Sequence, residues 1–110
     1  MQIPSSFTLG PQTITVKVVT KAQMLRQLKE PLAEDEDVPL GLWKRDCLTI
    51  WVQQPRRGFT EAAQAHTFWH EFTHAMLELM SYDTLSADEQ FVDRVGWMLL
   101  QASQSFSYGE

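Results

Sequence analysis

The sequence predicts an α+β domain: a small antiparallel sheet of about three strands with three helices, in the order strand, helix, hairpin, helix, helix. Three observations carry this. Residues 13–19 alternate and are mostly β-branched, as a half-buried strand requires. Residues 40–43 and 48–52 flank the polar run Lys44-Arg45-Asp46-Cys47 like the arms of a hairpin. Two long stretches, 60–81 and 86–102, repeat apolar residues at helical spacing and are expected to pack together.

The elements follow in order. Residues 1–12 are polar, with Pro4, Gly10 and Pro11, and read as an irregular lead-in. After the first strand, Thr20 is a candidate cap for a helix over 21–30, whose stripe is Met24, Leu25 and Leu28. Five of the eight residues from Glu30 to Asp37 are acidic, which reads as a solvated loop. In the hairpin, Cys47 is expected to be a small buried residue; the other reading makes it a thiolate that blocks a metal. Arg56-Arg57 closes the hairpin as a solvated turn. Tyr82 to Leu85 is a short connection between the long helices, and residues 103–110 are a polar tail.

The chain has 110 residues, the size of a single domain with one modest core. Hydrophobic residues make up 44% and charged residues 21%, which are ordinary globular values. Nine basic residues stand against 14 acidic ones, for a formal charge of −5. A domain that grips nucleic-acid phosphates is expected to be basic, so no nucleic-acid partner is expected. The single cysteine, Cys47, excludes an intramolecular disulfide. The first ten residues lack a basic residue and an apolar run, and the longest apolar run, 97–100, is far too short for a membrane span. A cytoplasmic setting without membrane contact is the expectation.

The chemistry centres on His70-Glu71-Phe72-Thr73-His74. Residues four apart lie on one helix face, so both imidazoles can reach one ion. Setting His70 at 0° with ~100° per residue puts His74 near 40° and Glu71 near 100°. The apolar Phe68, Trp69, Phe72, Ala75, Met76 and Leu79 fall roughly between 140° and 260°. The histidines therefore turn away from the buried side, where a core histidine would lie. Zinc held by two histidines needs at least one further protein ligand and an open position. The remaining histidine, His66, is ~12 Å from His74 along the axis and cannot share an ion with it. A register using His66 and His70 is open but has Thr67 where the glutamate should be. Otherwise His66 is a rim residue.

The third ligand is expected on the next helix. Glu89 and Asp93 are four apart and share a face that Gly96 and Leu100 continue. Gly96 costs ~1 kcal/mol in a helix relative to Ala, and close approach to the preceding helix is the reason to expect. The apolar stripe of this helix is Phe91, Val95, Met98 and Ala102, with Val92 and Leu99 beside it, which leaves Glu89 and Asp93 off the core. Two roles for Glu89 stay open: zinc ligand, or partner of Ser86 in a capping box over Ser86-Ala87-Asp88-Glu89. Asp93 fits a carboxylate that accepts the outer N–H of a ligating histidine.

His70-Glu71-x-x-His74 followed by Glu89-x-x-x-Asp93 resembles the zinc-binding segments of gluzincin metallopeptidases. The order hairpin, His-Glu-x-x-His helix, short loop and glutamate helix is more closely similar to small phage and bacterial proteins of the ImmA/IrrE-like metallopeptidase group. The likeness covers roughly residues 40–102 and is carried by segments 67–75 and 89–93. It implies that His70, His74 and Glu89 bind Zn2+ and that Glu71 is the general base.

The function expected is zinc-dependent hydrolysis of peptide bonds in a peptide or protein substrate. His66, Tyr82 and Tyr108 are the candidate oxyanion donors or rim residues. An edge of the sheet at 48–52 is a candidate seat for an extended peptide, and a plain core strand is the alternative. Two rival readings remain: a non-catalytic zinc module that binds a protein partner, and a structural domain with a chance motif.

Overall fold

The computed structural model describes residues 3–109. Its elements are β1 (Ser6–Leu9), β2 (Gln12–Val19), α1 (Lys21–Leu25), β3 (Gly41–Lys44), a 3-10 turn at Arg45–Cys47, β4 (Thr49–Gln53), α2 (Glu61–Leu79), α3 (Asp83–Ser86) and α4 (Glu89–Ser105). The class is α+β, as the patterning predicts. The sheet differs from the expectation: it has four strands in the order β1-β2-β4-β3 and is mixed, because β2 and β4 run parallel.

The extra strand lies in the stretch expected to be irregular. Leu9 pairs with Gln12, so Gly10-Pro11 forms a two-residue hairpin loop. Gly10 has φ +58° and Pro11 is held near −65°, the combination of a type II′ turn that matches strand twist. Phe7 of β1 then reaches Phe68 and Phe72 of α2, with ring centroids 6.0 and 4.9 Å apart.

The hairpin forms as expected, with Gly41 opposite Val52 and Lys44 opposite Thr49. It is β3, however, that lies at the edge. β4 is central, and all five of its residues are buried, so the edge expected at 48–52 is corrected. A strand covered on both faces reads as a continuous apolar run, as Ile50-Trp51-Val52 does. Ile14, Val16, Ile50 and Val52 meet Phe68 and Ala75 of α2 to form the core. Cys47 is exposed in the 3-10 turn, which corrects the expectation of a buried residue.

Thr20 caps α1 with a full capping box, its hydroxyl accepting from the Gln23 amide. The helix stops at Leu25, well short of residue 30, and Met24 alone is buried. A single anchor does not sustain three turns. α2 begins at the Thr60 cap and runs to Leu79, as expected. The connection after it contains α3, and the cap of α4 is Asp88, whose carboxylate accepts from the Phe91 amide. α4 continues to Ser105, beyond the expected end.

The stripe expected to bury α4 faces outward. Phe91 is 36% and Met98 68% exposed, whereas Val92, Gly96 and Leu100 are buried. α4 packs through Gly96, where a Cβ would lie 3.2 Å from the His70 backbone. Close approach is therefore the reason for this glycine. Among the described residues, no helix is long and apolar enough to cross a membrane.

Candidate metal centre

α2 lies between the sheet and α4. Its apolar arc meets the sheet, and its histidine arc faces the N-terminal half of α4. The helix spacing sets His70 one turn before His74, and the contact at Gly96 brings Glu89 over both. Glu89 Oε2 is 3.0 Å from His70 Nε2, and Oε1 is 3.2 Å from His74 Nε2. One ligand atom from each of His70, His74 and Glu89 lies within 4.8 Å of the other two, so the three can hold a metal ion.

The outer ring nitrogens are also engaged. His70 Nδ1 lies 3.3 Å from Asp93 Oδ1, the support the sequence assigned to Asp93. His74 Nδ1 is 2.9 Å from Ser86 Oγ, and Ser86 donates to Glu78 Oε2 at 2.8 Å. Trp43 Nε1 of β3 donates to the other oxygen of Glu78 at 3.0 Å. A serine has one hydroxyl proton. With that proton given to Glu78, His74 Nδ1 must be the donor, and its Nε2 is then a bare lone pair aimed at a carboxylate. Asp93 sets His70 the same way. If both imidazoles are unprotonated, their lone pairs face the Glu89 carboxylate, and a cation placed among the three groups removes that conflict. The donor set, two imidazole nitrogens and a carboxylate, suits zinc with room for a water.

Burial pushes the Glu71 carboxyl up from 4.5 to about 7, and the neighbouring Glu89 and Glu78 add to the rise against the opposing charge of His70. The cover comes partly from β3. A Cβ on Gly41 would meet Thr67 Cγ2 at 2.6 Å, Glu71 Cγ at 2.9 Å and Glu71 Oε2 at 3.1 Å. Only glycine lets β3 lie this close to the α2 surface that carries Glu71. Burial also holds His74 below its ordinary value, with Glu89 pulling the other way. That favours the neutral imidazole a metal needs. In front of His70 and Glu71 is an open cavity of about 310 Å3, which Gly41, His66 and Asp93 also line.

The other residues singled out by sequence fall as follows. His66 is outside the His70–His74–Glu89 group; its Nε2 lies 3.0 Å from Asp93 Oδ1 and is buried without an aligned hydrogen bond. Tyr82 precedes α3 and Tyr108 follows α4, 54% and 86% exposed, and neither lines the cavity. Ser86 is not the cap of α4, so the capping-box role of Glu89 does not arise. Sequence reasoning missed Glu78, Ser86 in its hydrogen-bonding role, Trp43 and Gly41. Glu78 carried a faint signal, since it lies one turn beyond His74 on the same side of α2. The others are joined only by the tertiary fold. Compared with protein-family models, curated proteins and solved structures, the chain matches none.

Proposed function

We propose that this chain is a zinc-dependent peptidase, with His70, His74 and Glu89 as the metal ligands and Glu71 as the general base. One observation carries the reading: two Nε2 atoms and a carboxylate converge while both Nδ1 atoms are tied outward, beside a glutamate with no share in that set. The resemblance of segments 67–75 and 89–93 to ImmA/IrrE-like metallopeptidases supports it. When bound, zinc supplies Lewis acidity, which acidifies water toward neutral pH and polarises the scissile carbonyl.

The chain's own residues do the rest. Glu71 accepts a proton from the attacking water at its carboxylate and returns it to the leaving amine. A carboxyl whose pKa is about 7 can do both near neutral pH. Asp93 and the Ser86–Glu78–Trp43 chain hold the two imidazoles in one tautomer and orientation. β3, an edge strand passing over Glu71, offers backbone groups to an extended peptide. On this reading the peptide lies on β3 in place of β4.

The second reading is a non-catalytic zinc module that binds a protein partner, favoured by the exposed Phe91 and Met98 on α4. One experiment separates the two. Protein purified without chelator is analysed for metal and incubated with an unstructured protein. We expect about one zinc per chain, cleavage, and loss of cleavage with retained zinc in Glu71→Gln. Zinc without cleavage favours the partner module, and a zinc content near zero ends both readings.

A further inference from the structure

Two histidines lean on one oxygen of Asp93. Oδ1 lies 3.3 Å from His70 Nδ1 and 3.0 Å from His66 Nε2, and Oδ2 has no protein partner among the described residues. One turn on, Trp97 lays its ring on that of His66, with centroids 4.0 Å apart and planes 17° from parallel. His66 has no aligned hydrogen bond of its own, so this stack is the contact that accounts for it. The stack covers one face of the indole, yet Trp97 remains 51% exposed. A large half-exposed ring stacked on His66, itself a wall of the polar cleft, is a ready platform for a ligand.

The charge around it is one-sided. The cavity in front of His70 has Glu71 and Asp93 on its walls and no lysine or arginine. Arg94 lines the apolar groove on the other side of α4, with Phe91 and Met98. An indole face draws a cation through the ring quadrupole, and a free carboxylate oxygen beside it accepts an N–H. A guanidinium satisfies both at once, because it is flat enough to stack and carries a fork of donors. An aromatic side chain would use the ring and leave Oδ2 bare. An acidic one would meet Asp93 and Glu89.

We propose that Trp97 and Asp93 Oδ2 form a subsite for the guanidinium of an arginine, so that the substrates of this cleft are peptides with an arginine close to the scissile bond. The subsite rests on the reading of the cleft as a peptide-cutting site, but its test reads binding. The probe is a pair of synthetic heptapeptides, identical except for a central arginine or its neutral analogue citrulline. Each is titrated into zinc-loaded and chelator-treated Glu71→Gln protein, with and without the Trp97 substitutions, while backbone amide signals and, where Trp97 is present, its indole N–H signal are followed by NMR.

We expect the arginine peptide to shift that signal and to bind roughly tenfold tighter than its twin. Trp97→Leu should bring the ratio to within about twofold, and Trp97→Phe should leave an intermediate ratio, because its ring is the weaker partner. A ratio near one with Trp97 in place, or a ratio unchanged in Trp97→Leu, overturns the proposal. If Trp97→Leu does not fold, Trp97→Phe decides in the same way. A protein that never cleaves but keeps the ratio loses the peptidase reading alone, and one that cleaves with no ratio loses the subsite alone.

Discussion

Glu71 is the residue whose environment departs most from that of the free amino acid. Between about 4.5 and about 7 the folded, metal-free chain holds a proton that the unfolded chain releases. The folded state therefore binds more protons, and its stability falls as pH rises through that window. The full difference is on the order of 3 kcal/mol. Glu71→Gln removes this titration, so chelator-treated Glu71→Gln should gain stability over wild type as pH rises from 4.5 to 7. His74, held low, contributes stability that is lost as pH falls through the ordinary histidine range, but it does so in both proteins. Urea denaturation of the pair at several pH values checks this, and parallel curves would show Glu71 to be freely solvated. For the supports of the histidines, Ser86→Ala should cost zinc affinity ~10–100-fold, and Asp93→Asn a similar amount. Glu89→Gln should cost more than either, because it removes an anionic donor. Competition with a chelating dye measures all three. His70, Glu71 and His74 were legible in the sequence because their spacing is helical and local. Glu89 and Asp93 were legible through a shared helix phase. The sequence left a capping box over Ser86–Glu89 open beside the ligand role of Glu89, because the same four residues fit both and only the turn of α3 decides against the cap.

At the scale of elements, two glycines set how closely the helices and the sheet approach the site. Gly96→Ala gains helix propensity of ~1 kcal/mol but places a Cβ against the His70 backbone, which is rigid helix. We expect net destabilisation of about 1–2 kcal/mol and weaker zinc binding, since α4 must shift away carrying Glu89. Gly41→Ala meets Thr67 Cγ2 and Glu71 Cγ. Its stability loss should be partly recovered by Thr67→Ser, which deletes the nearest methyl group. A double-mutant cycle by thermal denaturation reads the coupling, and strict additivity would mean that β3 relaxes instead. The elements also show where pattern reading stops. The stripe Phe91, Val95, Met98 and Ala102 is the more conspicuous amphipathic face of α4, yet the buried one is Val92, Gly96 and Leu100. Hydrophobicity marks a face that can be buried; the close approach at a glycine chose the other. β1 escaped notice because its strand is short and its turn depends on the handedness of Gly10.

For the whole molecule, an ion held as proposed by α2 and α4 would tie the helical layer together. Anything that binds only the folded state stabilises it by mass action, about 2.7 kcal/mol at a free concentration 100 times Kd. We expect zinc to raise the melting temperature by roughly 10 °C and His74→Ala to abolish the rise. Calorimetry with and without metal checks both. The two layers differ in a way that reaches beyond stability. The proposed ligands span only residues 70 to 89, whereas the sheet closes when Thr15 meets Thr49 and the intervening chain has formed α1 and β3. Short loops close at less entropic cost than long ones. If the hairpin binds zinc as proposed, it would gather its ion while the strands are still searching for each other, and metal capture would be an early event in the life of the chain. Refolding from urea with zinc present should be faster than refolding with zinc added afterwards. Equal rates would mean that the site assembles only once the sheet has closed.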